Sequence, residues 1–376
     1  MEKQGLSVYV HIPFCKRKCL YCDFPSFAEG REVMEQYRDA LIKEIREEEE
    51  TGGRKVKTLY FGGGTPSFIP EEYIGDVIYE LSRKYEIEED AEITLEMNPG
   101  TASRKKLETY RELGINRISL GCQSFNDETL RRLGRIHGRD EIFETFEMLR
   151  EEGFHNINLD LISSVPGEKK EELKKSLVEA VKLNPRHISV YSLILEEGTE
   201  LYRQYKEGEL QDLPNEEETE ENDFLTETFL SEEGYHRYEI SNYCREGFEC
   251  RHNISYWKRD DYRGFGLGAA SLIGDKRFTN VSDFSYLKDP GNLKSEDRIL
   301  STEEKMEEFM FLGLRLLSGV SDVDFKETFG QSIQEVYGDI LNEQIKQGFM
   351  EREGMRFFYN SRGLRVSNVL MSRFLF

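Results

Sequence analysis

The reading of this chain turns on Tyr9-Val10-His11-Ile12-Pro13-Phe14-Cys15-Lys16-Arg17-Lys18-Cys19-Leu20-Tyr21-Cys22-Asp23. A short apolar strand, Leu6–His11, runs into a loop whose cysteines have CxxxCxxC spacing. Iron–sulfur clusters are held by Cys thiolates, usually four of them. Three thiolates on one loop can therefore hold three irons of a 4Fe-4S cluster and leave the fourth iron open to a small molecule. S-adenosylmethionine (SAM) is the candidate for that position. Structural zinc wants four ligands, commonly as two CxxC-like pairs. No second pair follows, and Asp23 is a poor fourth ligand for a soft site. A disulfide would leave an odd cysteine. Inert buried thiols are common, yet cysteines this close together beside Lys16, Arg17 and Lys18 are not a core pattern. The cluster reading leads; zinc and a purely structural role stay open at this point.

The chain's 376 residues suit one large domain plus a smaller one. A formal net charge of -22 argues against a nucleic-acid partner, because phosphate binding needs clustered Lys and Arg. It also disfavours electrostatic docking on an anionic membrane. There is no transmembrane-length apolar stretch and no signal-peptide core. With six cysteines, some in a metal-type loop, a reducing cytoplasm is the expected location.

Strand–loop–helix units repeat through the first 240 or so residues. Candidate strands are Leu6–His11, Thr58–Phe61, Glu92–Glu96, Arg117–Gly121, Asn156–Ile162 and His187–Leu193. Candidate amphipathic helices are Val33–Glu49, Glu71–Tyr85, Ser103–Leu113, Glu141–Glu152 and Lys169–Val181. Short apolar strands alternating with helices imply a parallel sheet with helical crossovers. The fold class is therefore α/β, and the repeats suggest an incomplete (βα) barrel over residues 1–235. In such barrels chemistry gathers at the C-terminal ends of strands. The cysteine loop, Gly62-Gly63-Gly64-Thr65-Pro66, Glu96-Met97-Asn98-Pro99, Gln123 and Asp160 all fall there.

Beyond Tyr235 the pattern changes. Residues 236–300 read as irregular strands and loops rich in aromatics and glycine. Residues 301–376 turn helical again (Glu303–Leu317, Val323–Phe329, Ile333–Gln347), followed by strands Met350–Arg352 and Phe357–Asn360 and a last helix from Gly363. Three helices and a two-stranded wing suggest a winged-helix-like domain. The acidic balance favours a lid or docking role for it over DNA binding.

The CxxxCxxC loop with Tyr21 before its third cysteine resembles the radical-SAM superfamily. The segment Tyr9–Cys22 resembles more narrowly the coproporphyrinogen dehydrogenase branch, which includes haem chaperones of the HemW type, and the similarity runs from about Ser7 to the C-terminus. The resemblance implies a partial (βα)6 barrel with a 4Fe-4S cluster on Cys15, Cys19 and Cys22. It implies SAM contacts from Tyr9, Tyr21, Gly63, Gly64, Thr65, Glu96, Gln123, Arg135 and Asp160. The chemistry agrees: Arg135 can pair a carboxylate, and Glu96 and Asp160 can accept from an ammonium or from ribose hydroxyls. The glycine triplet, read without its neighbours, is either a place where a ligand approaches the backbone closely or a tight turn.

His252-Asn253-Ile254-Ser255-Tyr256-Trp257 contains the only tryptophan. A lone histidine is more often a satisfied core or surface residue than a ligand. His, Tyr and Trp within six residues can nevertheless offer an iron ligand and flat apolar faces to a macrocycle. HNxxYW resembles the signature of the haem chaperones, which implies haem contacts from His252, Tyr256 and Trp257. Cys244 and Cys250 are alternative iron ligands or buried thiols. The dehydrogenase pattern CxxxCxxCxC is broken here, with Phe24 in place of the last cysteine, and the arm ahead of the cluster is short. Gly264-Phe265-Gly266-Leu267-Gly268-Ala269-Ala270 resembles a segment that approaches a second SAM, or is a turn between strands. The expected function is haem binding and delivery to haemoproteins of respiratory chains. The alternative is a radical-SAM enzyme acting on a porphyrin-type substrate, such as oxygen-independent coproporphyrinogen III dehydrogenase. Oligomeric state is not legible.

Overall fold

The structure is a computed structural model describing residues 5–49, 51 and 53–375. Six strands, β1 (Leu6–Ile12), β2 (Lys55–Gly63), β3 (Glu86–Met97), β4 (Arg117–Gln123), β5 (Asn156–Ser163) and β6 (His187–Ser192), pair in chain order and in parallel. The crossovers carry α1 (Arg31–Glu47), α2 (Glu71–Lys84), α3 (Arg104–Glu112), α4 (Asp127–Arg132), α5 (Arg139–Glu151) and α6 (Lys170–Lys182). Leu6, Val8, Val10 and Ile12 of β1 join the apolar core with Leu41 and Ile45 of α1. The alternate residues Ser7, Tyr9 and His11 are polar and point to the other face of the strand. The same alternation sets Leu59 and Phe61 against Thr58 and Tyr60 on β2. The outer face thus packs under the helices and the inner face is polar, which is what a barrel interior that binds something requires.

The strands of residues 236–300 extend this sheet. After α7 (Glu200–Lys206) and α8 (Glu216–Glu232), β8 (Asn242–Cys244) adds antiparallel to β6, and β7 (His236–Arg237) pairs antiparallel with β8 at the edge. After α9 (Arg251–Trp257), β9 (Tyr262–Phe265) adds parallel to β1, and β10 (Ala270–Ile273), β11 (Lys276–Asn280) and β12 (Lys294–Ile299) follow antiparallel. The order is β12-β11-β10-β9-β1-β2-β3-β4-β5-β6-β8-β7, and its two ends do not pair among the described residues. The barrel is therefore open. Tyr243, Phe265, Leu267 and Tyr286 from this middle stretch share the core of the first six strands.

The glycine-rich segment is the turn from β9 to β10. The Glu44 carboxylate accepts from the Gly266 N–H at 2.8 Å, and the Tyr37 hydroxyl accepts from the Leu267 N–H at 3.0 Å. Arg263 lies buried between Glu44 and Glu48. The segment is committed to packing against α1 and does not border the main cavity.

A second core unites α10 (Thr302–Gly313), α11 (Asp322–Phe329) and α12 (Ile333–Lys346) through Met310, Leu314, Phe325, Tyr337 and Leu341. Strands β13 (Val320–Ser321), β14 (Met350–Glu353) and β15 (Arg356–Tyr359) form a small sheet in the order β13-β15-β14. Helices α13 (Ser361–Arg365) and α14 (Ser367–Met371) close the chain. No helix of the described residues is long and apolar enough to cross a membrane.

Candidate functional site

A cavity of about 500 Å3 opens at the C-terminal ends of β1–β6. Cys15, Cys19 and Cys22 all border it, half-buried and free of disulfides. The loop that carries them is fixed on both sides. The Cys15 N–H donates to the Phe27 carbonyl at 3.0 Å, and the Leu20 N–H donates to that of Leu133 at 3.1 Å. The glycine turn after β2 docks directly on this loop. The Gly64 and Thr65 N–H groups donate to the carbonyls of Ile12 and Phe14, both at 2.8 Å. A Cβ on Gly64 would stand 2.8 Å from the Phe14 backbone, and Gly63 has φ +110° with a Cβ position filled by the His11 ring. Only glycine fits there. Part of the turn's conformation thus serves the cysteine loop, and its surface still faces the cavity.

Glu96 lies at the end of β3. It accepts from the Tyr60 hydroxyl at 2.9 Å and from the Gly63 N–H at 3.1 Å. Burial, followed by the charge of Asp160, raises its carboxyl from the ordinary range to about 7. A carboxylate held there without a cation is costly, so the site is tuned to receive positive charge. Asp160 on β5 accepts from Ser119 and from Asn158, both at 2.8 Å, and burial raises it too. Gln123 has φ 66° at an irregularity between β4 and β5, which turns its side chain into the cavity. Arg135 donates to Cys19 Sγ at 3.3 Å, to Asn98 Oδ1 at 2.5 Å and to the Gly121 carbonyl at 2.8 Å. Asn98 in turn donates to Thr65 Oγ1 at 2.8 Å, and that oxygen lies 3.4 Å from Cys15 Sγ. Tyr21 lines the cavity and packs on Leu133, Ile162 and Val165.

A second recess of about 310 Å3 shares Phe24, Tyr60, Gly63, Glu96, Tyr191 and Asn253 with the main cavity. Its further walls are Tyr9, His252 and Tyr256. Phe24 and Tyr191 are exposed large side chains at this shared mouth, beside Ile194. The structure thus places Tyr9 in the aromatic recess, with its hydroxyl 3.0 Å from His11 Nδ1.

The HNxxYW segment is a helix, α9, where irregular chain was expected. It divides between two environments. His252 is buried, its Nδ1 2.8 Å from Thr58 Oγ1 and its Nε2 3.0 Å from the Tyr256 hydroxyl, and its ring stacks on Tyr60. Burial lowers its pKa to about 3, so the ring is neutral. As it stands the ring offers no free nitrogen, so His252 would hold a metal only by giving up one of these bonds. Trp257 lies away from both cavities, under the Arg315 guanidinium at 4.2 Å, and its indole N–H has no hydrogen-bond partner among the described residues. Cys250 is buried at the N-cap of α9, and Cys244 is buried on β8.

Sequence reasoning placed Asn98 at a strand end without a role and missed Arg117, Ser119, Asn158 and Tyr191, which line the same cavity. Tyr191, near the end of β6, was within reach of the strand-end rule. Arg117 was not. It is a buried arginine on β4 whose Nε and Nη1 lack partners among the described residues, beside Glu92, Tyr60 and Tyr238. Nothing in its local sequence separates it from a surface arginine.

Residues 9–180 match the model of the radical SAM superfamily, and residues 300–366 that of the HemN C-terminal domain. The chain is 36% identical over 375 residues to the protein of Bacillus subtilis named heme chaperone HemW, covering 98% of this chain and 99% of that one. The chain belongs to the HemW family. The HemW of Escherichia coli is 33% identical, with 98% of each chain covered. That of Lactococcus lactis is 34% identical, covering 100% of this chain and 98% of its own. The fold is also that of coproporphyrinogen III oxidase (HemN) from Escherichia coli, with TM-score 0.86, 24% identity, and coverage of 100% of this chain and 91% of that one. A HemW-family, radical-SAM chain implies a 4Fe-4S cluster and SAM as cofactors. The residues present fit them: free thiols from one loop meet at one cavity, next to a buried carboxylate poised near neutrality and a fixed guanidinium.

Proposed function

We propose that this protein is a haem chaperone that takes haem into the aromatic recess beside its cysteine loop and hands it to haemoproteins of respiratory chains. One observation carries the reading. The recess between the cavity and α9 is walled by Tyr9, Tyr60, Tyr191, Tyr256 and Phe24, and Phe24 occupies the place of the extra cysteine in the dehydrogenase pattern. Flat apolar faces suit a macrocycle, and the name borne by its full-length relatives agrees.

Cys15, Cys19 and Cys22 would hold the cluster, and Glu96, Gln123, Arg135 and Asp160 would surround SAM, with Gly63, Gly64, Thr65 and Tyr21 completing its cradle. The bound cluster supplies an electron source and an open iron for the methionine end of SAM. Glu96 would take the ammonium, and Arg135, already anchored by Asn98 and Gly121, would face the carboxylate. Arg117 adds a second guanidinium with N–H groups unpaired among the described residues, and a buried carboxylate would satisfy it. His252 and Tyr256 would meet the haem at the recess floor, and Trp257 would act from behind through the position of α9.

Delivery is tested by loading the cluster-reconstituted protein with haem, removing free haem, and adding a haem-free b-type cytochrome domain under anaerobic conditions. Transfer faster than haem release to a passive scavenger supports the reading. Transfer at the scavenger rate makes this a haem-binding protein without delivery.

A further inference from the structure

A cluster of metal-ligating side chains stands outside the cavity just described. His236 on β7 and Cys244 on β8 are direct cross-strand partners. Glu249 reaches the same point from the loop that leads into α9. Cys244 Sγ lies 3.4 Å from His236 Nε2, and His236 Nε2 lies 2.9 Å from a Glu249 carboxylate oxygen. The three donor atoms all lie within 4.8 Å of one another.

These spacings can be compared with what a metal demands. Zinc takes sulfur at about 2.3 Å and nitrogen or oxygen at about 2.0–2.2 Å in a tetrahedron, so neighbouring ligand atoms sit roughly 3.3–3.6 Å apart. The two separations from His236 need only sub-ångström adjustment to meet that geometry, and the Cys244 sulfur and the Glu249 carboxylate, within 4.8 Å of each other, close on it by rotation of the Glu249 side chain. Cys244 is buried beneath the site, whereas His236 and Glu249 are partly open to solvent. A cation can therefore enter from the solvent side, with the thiolate below it and a fourth position left to water. A thiolate, an imidazole and a carboxylate together suit zinc rather than magnesium or calcium.

We propose that His236, Cys244 and Glu249 form a zinc-class divalent metal site on the β7–β8 edge of the sheet, distinct from the cysteine loop. Glu249 immediately precedes Cys250, the N-cap of α9. A metal there ties the loop of residues 245–250 to the sheet edge and so fixes where α9 begins. The inference does not depend on haem binding, because the ligands and their spacing stand without it.

The test uses full-length protein with its cluster reconstituted, exposed to excess Zn(II) and desalted. Zinc, iron and sulfide are counted per chain in the same sample. The wild type should retain one zinc beyond its iron, and so should a chain with Cys15, Cys19 and Cys22 all changed to Ala. Cys244→Ser, His236→Asn and Glu249→Gln should each weaken zinc binding by at least about tenfold with iron and sulfide unchanged. Co(II) in place of zinc should give a thiolate-to-metal absorption band that Cys244→Ser removes. His236 and Glu249 are partly exposed, so their variants remain informative if Cys244→Ser misfolds. A wild type without zinc beyond the cluster, or variants that keep stoichiometric zinc at undiminished affinity, would overturn the site.

Discussion

The Glu92 carboxylate accepts the backbone N–H of His252 at 3.0 Å. It also accepts from the Arg251 N–H at 3.1 Å. A side chain from the interior face of β3 thus caps the first turn of α9, for which the local sequence supplies no side-chain cap. A negative charge at a helix N-terminus is favourable twice over, through unpaired N–H groups and through the helix dipole.

Glu92→Ala should therefore release the start of α9 and leave Arg117 with one charge fewer beside it. Losing buried charge-assisted hydrogen bonds of this kind costs about 2–4 kcal/mol. Urea unfolding of wild type and variant measures it. A loss below about 0.5 kcal/mol, the range of an ordinary surface change, would mean that α9 is held by other contacts.

Glu96 gives the proposed SAM site a pH dependence. Its carboxyl sits at about 7 because of burial and the charge of Asp160. An ammonium needs the ionised form, so SAM affinity should fall as pH drops below 7, by up to about tenfold per unit. Without ligand the sign reverses: the neutral form is favoured in the folded state, and that stability is complete below the ordinary value of 4.5 and is lost as pH rises through 7. Equilibrium dialysis of SAM from pH 6 to 8 should show the slope in the wild type and a flat, weaker profile in Glu96→Gln. An equal slope in the variant would place the titrating group elsewhere.

Phe24 separates binding from folding. It is 59% exposed, so Phe24→Ala should change stability by no more than about 0.5 kcal/mol. At the mouth of the recess an aromatic face lost from a macrocycle is worth about 0.5–1.5 kcal/mol. Haem titration should show a two- to tenfold weaker Kd at about that energy. An unchanged Kd would remove Phe24 from the haem site.

Tyr256 tests the role of His252. Tyr256→Phe keeps the ring and removes the hydroxyl that lies 3.0 Å from His252 Nε2. If that nitrogen ligates haem iron, the variant should bind haem more tightly than wild type and keep a histidine-ligated spectrum. Weaker binding with an unaltered spectrum would make the Tyr256 hydroxyl, not a freed His252, the contact that matters.

Much of this arrangement was legible in the sequence, for physical reasons. Alternating strands and amphipathic helices announce a parallel sheet, and β1–β6 fall where short apolar runs stand. The residues at strand ends share one cavity because the sheet puts those ends side by side. Other elements gave no periodic signal. The buried residues of α8 are Asn222, Thr226 and Leu230, so its inner face is largely polar, and α4 is six residues long. Helix α9 was hidden for a different reason: its cap, Glu92, lies 160 residues from His252. The strands added at both sheet edges are short and are placed by tertiary pairing, not by their own pattern. Trp257, grouped with His252 in the sequence, faces Arg315 because successive residues on a helix point in different directions.

The most direct test of haem chaperoning is an anaerobic haem titration of the cluster-reconstituted protein, with coproporphyrinogen III conversion and 5′-deoxyadenosine release assayed under reduction in the same preparation. Tight one-to-one haem binding and no porphyrinogen turnover are expected of a chaperone. Conversion to protoporphyrinogen with 5′-deoxyadenosine formed in step would contradict that role and make this protein a radical enzyme.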